Sequence, residues 1–144
     1  MDNKQIVSLL KNTPIFANTS EKSLESLIKS AIIKTVPQGD KLVAEGQGGA
    51  GFYLILNGKA QVVKEGTKLA ELSTGNFFGE LSVIDGQPRT ADVVAASETK
   101  CLIVSQWAMK SVIANYPEVA LSMLTELVRR LRATDASRVQ ADKG

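Results

Sequence analysis

Residues 77–94, FFGELSVIDGQPRTADVV, put a glycine (Gly79), a carboxylate (Glu80) and an arginine (Arg89) in one short stretch, and the rest of the chain reads as a frame around it. Gly79 and Glu80 open an apolar run, Leu81 to Ile84, long enough for one or two helical turns whose first amides lack a partner inside the helix. Such a helix start attracts anions. Asp85-Gly86 reads as a turn, Pro88 holds Gln87 out of the helical region, and the chain extends through Arg89, Thr90 and Ala91 into a strand. The arginine is thereby carried back toward the helix start, where one small anionic ligand can touch all three residues.

Outward from this stretch, residues 32–104 are short apolar runs punctuated by Pro37, Gly39-Asp40, Gly46 to Gly51, Asn57-Gly58, Glu65-Gly66 and Gly75-Asn76. Punctuation this regular predicts a β-barrel or sandwich. Phe52 to Leu56 is apolar at consecutive positions, so both faces of that strand are expected to be covered. Asn57-Gly58 is the strongest hairpin signal, predicting a type I′ turn into a strand over 59–64 with Ala60 and Val62 facing the core. Gly48, Gly49 and Gly51 make a permissive loop, for which a surface connection is the default and approach to a ligand the alternative.

On the N-terminal side, Ile6, Leu9 and Leu10 predict a first helix ending near Asn12; Ser20 caps a second, whose Leu24, Leu27, Ile28 and Ala31 recur at helical spacing. Helical patterning returns from Trp107 to Asn115 and, past Tyr116-Pro117, from about Glu118 to Ala133, with Gln140 to Gly144 as a loose end. In the last helix Ala120, Leu124, Leu127 and Leu131 form one apolar stripe, widened by Val119, Leu121, Met123 and Val128. A face that broad can cover the barrel and also meet another helix, so a homodimer through the C-terminal helix is an expectation.

Composition removes several classes of function. With 144 residues, 44% hydrophobic and 22% charged, the chain is one globular domain's worth. A formal charge of +2 is too small for a basic nucleic-acid surface. The chain has no histidine, which excludes a Ser-His-Asp triad, a Cys-His pair and a histidine-ligated metal. The scattered acids show no ligand spacing, so neither a catalytic residue nor a metal is expected. Cys101 stands alone in an apolar run and reads as a core thiol; with no signal-peptide region and no apolar run of membrane length, a cytoplasmic location without membrane contact is expected.

The string Phe78-Gly79-Glu80-Leu81 followed by Pro88-Arg89-Thr90-Ala91, with Gly39, Glu45-Gly46 and Asn57-Gly58 in order before it, resembles the cyclic nucleotide-binding domain family. Residues 77–91 correspond to its phosphate-binding cassette, and the likeness, which spans nearly the whole chain, is strong to bacterial catabolite-activator-type regulators. The resemblance implies a mainly β fold with flanking helices in a single domain: N-terminal helices at 1–31, a jelly-roll β-barrel (double-stranded β-helix) at 32–104, and C-terminal helices at 105–144. It implies a sensor of a 3′,5′-cyclic nucleotide, with no enzyme activity and no cofactor, whose C-terminal helix closes over the ligand.

Residue by residue, the chemistry of that ligand suits the cassette. A cyclic phosphodiester carries one negative charge, which fits the planar donors of Arg89, the amide of Gly79 and the amides of Leu81 to Val83. For Arg89 the alternative is a surface ion pair with Asp85 or Asp92. Thr90 offers a hydroxyl beside Arg89, and Ser82 a second one where the family often has a small apolar residue. Glu80 repels a phosphate but can accept from a ribose 2′-hydroxyl; its alternative is an acid favoured by the helix start, and the resemblance tips it toward the sugar.

Thr134 lies one step of three beyond Leu131, which places it on the predicted buried seam, and Arg132-Ala133-Thr134-Asp135 resembles the stretch that meets the adenine amino group in catabolite-activator-type domains. A fraying helix-end threonine is the alternative. Thr90 pulls the other way, because in some family members a threonine there bonds the guanine amino group, while others with threonine still prefer the adenine ligand; cyclic AMP is therefore favoured and cyclic GMP is the second candidate. A sensor portion of a DNA-binding regulator is the next reading; because no recognition-helix pattern precedes Gly144, specific DNA binding by this chain is not expected. A carboxylate-based enzyme on a jelly-roll barrel is the third, to be favoured by a pocket of several carboxylates without arginine.

Overall fold

A computed structural model of the chain describes residues 2–46, 51–79 and 91–143, the stretch 135–143 by its backbone only. Two helices come first: α1 (Asn3–Lys11), capped by Asp2 and Gln5 bonding each other's backbone, and α2 (Glu21–Lys29), whose Ser23 amide donates to Ser20 Oγ at 3.2 Å. Eight strands follow: β1 (Ile32–Val36), β2 (Lys41–Val43), β3 (Gly51–Asn57), β4 (Lys59–Lys64), β5 (Thr67–Ser73), β6 (Phe77–Phe78), β7 (Asp92–Ala95) and β8 (Thr99–Ser105). Helices α3 (Gln106–Asn115) and α4 (Glu118–Lys143) close the chain, so residues expected to form a loose end from Gln140 are helical through Lys143.

The strands form two antiparallel four-stranded sheets, β1-β8-β3-β6 and β2-β7-β4-β5. Among the described strands only β4 and β5 are sequence neighbours in one sheet; every other connection passes to the opposite sheet. That alternation is the jelly-roll pattern, here as two stacked sheets without a shared ladder among the described residues. The first sheet is covered twice. Phe52, Leu54, Leu56, Leu102 and Val104 face α1, α2, α3 and the first turns of α4, whereas Ile55 and Cys101 face Val43, Ala60 and Val93 of the second sheet. The uninterrupted apolar run of β3 follows from this double coverage, and both terminal groups of helices share one face of the barrel. Burial pushes the Cys101 thiol up to about 11, consistent with an unreactive core residue.

The predicted Asn57-Gly58 hairpin is not there. Strand β3 pairs with β8 and β6, while β4 pairs with β5 and β7, so Gly58 is a corner between sheets. Its glycine answers a close approach: a Cβ there would lie 2.7 Å from the Glu98 carbonyl oxygen and 2.8 Å from Thr99 Cα. The tight hairpin is Glu65-Gly66, with φ of 53° and 77°, joining Lys64 to its partner Thr67. Positive φ at both central residues makes this the type I′ turn.

Candidate functional site

The site is built on β6, which is only two residues long but is held on both faces of β3. Phe77 stacks on Phe52 with ring centroids 5.7 Å apart, and Phe78 stacks on Tyr53 at 4.8 Å. Successive side chains of a strand point to opposite faces, so the adjacent phenylalanines reach the helix-side core and the inter-sheet core respectively. The turn before them is fixed as well: Gly75 N–H donates to the Ile55 carbonyl at 2.8 Å, and Ile55 N–H to the Asn76 carbonyl at 2.9 Å. Immediately after the second ring, Gly79 takes φ +89°, a left-handed conformation that side-chain-bearing residues seldom adopt.

Strand β7 fixes the other end of the cassette, in the opposite sheet. Asp92 at its start accepts the Glu45 amide on Oδ1 at 2.6 Å and meets Lys41 Nζ on Oδ2 at 3.2 Å. These contacts, the amide first, hold its carboxyl below the usual range, so the Asp92 charge belongs to the β2–β7 corner. The corner also requires Gly46, at φ +77°. Residues 79–91 therefore join two rigid strands of different sheets. Glu80, Leu81, Ser82, Arg89 and Thr90, the short helix expected over Leu81 to Ile84 and the Asp85-Gly86 turn lie outside the described residues, as do Gly48 and Gly49.

Helix α4 departs from the predicted phase. Val119, Ser122, Met123 and Glu126 are buried, whereas Leu121, Leu124, Val128 and Leu131 are 47% to 67% exposed. The buried face is one residue away from the expected Ala120-Leu124-Leu127-Leu131 stripe. Glu126 can occupy it, 5% exposed, because Arg129 and Arg130 follow at i+3 and i+4. Arg129 bonds both carboxylate oxygens, with its Nε 2.9 Å from Oε2, and Arg130 Nε lies 3.1 Å from Oε1. Those guanidinium groups, Arg129 foremost, hold the Glu126 carboxyl below its ordinary value against the opposing effect of burial. Thr134 is exposed rather than on a buried seam, and its hydroxyl donates to the Arg130 carbonyl at 3.0 Å. That bond leaves the oxygen able to accept.

Sequence reasoning missed a cleft of about 410 Å3 between α4 and the body. One wall is Asn12, Thr13 and Pro14; another is Leu72 with Gly75, Asn76 and Phe77; α4 supplies Glu126, Arg129 and Arg130. Among the described lining residues, one carboxylate and two arginines differ from the arginine-free carboxylate pocket that an acid-based enzyme would need. Among the described residues no group of histidine, cysteine, aspartate or glutamate side chains is placed to hold a metal, and no helix is long and apolar enough to cross a membrane.

Comparison with known proteins agrees with this architecture. The model of the cyclic nucleotide-binding domain family matches residues 33–116. The chain is 30% identical over 132 residues to the CRP-like cAMP-activated global transcriptional regulator of Mycobacterium tuberculosis, covering 88% of this chain and 59% of that protein. It is 29% identical over 129 residues to the cGMP-dependent protein kinase of Plasmodium berghei, covering 89% of this chain and 14% of the kinase. In structure it resembles the N-terminal domain of a transcriptional regulator from Streptomyces coelicolor A3(2), with a TM-score of 0.79, 30% identity, and 90% and 94% of the two chains covered. The chain thus spans about three fifths of the length of the mycobacterial regulator.

Proposed function

The chain belongs to the cyclic nucleotide-binding domain family, and we propose that it binds cyclic AMP in preference to cyclic GMP at residues 79–90 and reports occupancy through α4. The observation that carries this reading is Gly79 at φ +89°, directly behind two stacked phenylalanines: the chain leaves a fixed strand through a left-handed residue with no side chain to keep a ligand from its amide. Arg89, the Leu81 to Val83 amides and the Thr90 hydroxyl would hold the phosphate, with Ser82 beside them, and Glu80 would accept from the ribose 2′-hydroxyl. Because Asp92 is already engaged by Lys41 and the Glu45 amide, the alternative pairing of Arg89 with Asp92 loses weight.

Thr134 would meet the adenine amino group once α4 closes. A ligand shifts the position of α4 only by its differential affinity for the closed arrangement. The exposed residues Leu121, Leu124, Val128 and Leu131 recur in steps of three and four, the spacing of a two-helix seam, which supports a homodimer through α4. A sedimenting monomer at high concentration, with and without ligand, would remove the dimer. A second reading, in which this domain serves a DNA-binding regulator, draws on the mycobacterial and Streptomyces relatives named as transcriptional regulators.

Calorimetric titration with cyclic AMP, cyclic GMP and linear 5′-AMP tests the proposal. Cyclic AMP should bind tightest and the linear nucleotide weakest. Equal affinity for 5′-AMP, or no saturable binding of either cyclic nucleotide, would contradict it.

A further inference from the structure

We propose that the cleft between α4 and the body is a second ligand site, taking a small organic anion with a carboxylate or phosphate-monoester head, and that its occupant pins α4 in place. Charge is the first argument. Among the described lining residues there are one carboxylate, Glu126, and two guanidinium groups, Arg129 and Arg130. Both oxygens of Glu126 are engaged by these arginines of its own helix, so the carboxylate asks nothing of a ligand. Arg129 gives Nε and Nη2 to Glu126, which leaves further N–H groups of its five-donor fork for an incoming oxygen.

Asn76 points the same way. Asn76 Oδ1 accepts the Ser73 amide at 2.8 Å, so the end it can offer the cleft is its NH2 donor. Thr13 is the exception: its hydroxyl hydrogen goes to the Leu10 carbonyl at 2.6 Å, which leaves its oxygen able only to accept. Both carboxylate oxygens of Glu126 and the amide oxygen of Asn76 are thus engaged inside the protein while Arg129 and Asn76 keep N–H donors, and Pro14, Leu72 and Phe77 add an apolar side. Donors opposite an apolar wall, in a volume of about 410 Å3, match the general character of small-molecule sites.

The walls explain the consequence. The Gly75-Asn76 turn is hydrogen-bonded to β3 and Asn12 caps α1, so those walls are fixed while the third belongs to α4. Filling the cleft would tie the helix to the body. This regulatory part rests on the proposed function, in which cyclic AMP draws α4 to a different position; the two ligands should then oppose each other, and linkage makes the opposition reciprocal.

The test uses the full chain at low salt, titrated with phenyl phosphate, benzoate and neutral benzyl alcohol and followed by amide chemical shifts. At least one of the anions should saturate with a Kd of about 1 mM or tighter, and the alcohol should not. The tighter anion identifies the head group. Asn76→Asp keeps the acceptor for the Ser73 amide but replaces an N–H donor by a negative charge, and should weaken the anion about tenfold or more; Arg132→Ala, at an exposed position of α4, should leave it unchanged. Absence of saturable anion binding, equal binding of benzyl alcohol, or an indifferent Asn76→Asp variant would overturn the site. Saturating anion should lower the affinity for cyclic AMP; an unaltered affinity would overturn the pinning. If cyclic AMP does not bind at all, the sensing reading fails, and the anion titration by itself still supports or overturns the cleft.

Discussion

Strand β6 and helix α4 are held to the domain in opposite ways. The strand has two residues, each with a ring stacked on an opposite face of β3; the helix has 26, yet among its described side chains only Val119, Ser122, Met123 and Glu126 are buried. Among the described residues Glu126 pairs with Arg129 and Arg130 of its own helix. A fixed strand delivers the cassette, while the element proposed to respond to ligand is attached mainly near its start. A sensor needs that division, because a site that moved with its reporter would spend part of each binding event reassembling itself.

The contrast is most sharply broken at Phe77. Phe77→Ala should cost about 3 kcal/mol, the low end for a phenylalanine removed from a core since this ring is only partly buried, and should weaken nucleotide binding by loosening the start of the cassette. Denaturant unfolding with a parallel titration checks both; a variant as stable as the parent would mean that β6 is not the anchor. Truncation after Arg130 probes the other region. It keeps Val119, Met123 and the Glu126 ion pairs, so stability should change by no more than about 0.5 kcal/mol. Cyclic AMP affinity should fall by about 1 kcal/mol, the usual worth of one hydrogen bond, with Thr134→Ala reproducing that loss and sparing cyclic GMP. A large loss of stability would show that the distal half of α4 is docked after all.

The smallest effect concerns acid. Glu126 titrates below its ordinary value of 4.5 because of Arg129 and then Arg130, so its contribution to stability is fully present above that value and is lost as pH falls through the lower folded value. Glu126→Gln should therefore show a shallower loss of stability between about pH 5 and pH 3 than the parent. An identical acid limb would mean that another carboxylate governs it.

What the sequence made legible depended on whether the signal was local. The run from Phe52 to Leu56 announced a strand covered on both faces, and two cores cover it. Asn57-Gly58 announced a change of direction correctly but not its destination, because the demand for glycine comes from Glu98 and Thr99, distant in sequence. The phase of α4 was misread for a similar reason: a leucine stripe looks like the buried face unless one notices that Glu126 brings its own arginines at i+3 and i+4, which lets the polar face go inside. Gly79 was legible as a special backbone position, while the cleft was not, since its walls come from residues 12–14, 72–77 and 126–130. The closely spaced Glu126, Arg129 and Arg130 were the signal available for it.

The central claim, that residues 79–90 hold the phosphate of a cyclic nucleotide, is tested most directly by titrating cyclic AMP into the parent chain and into Arg89→Ala while monitoring thermal unfolding of both. Removing one partner of a sequestered charge pair costs about 2 to 5 kcal/mol, so the variant should bind roughly 30-fold more weakly or worse while unfolding at the same temperature without ligand. Parent-like affinity in Arg89→Ala would contradict the account.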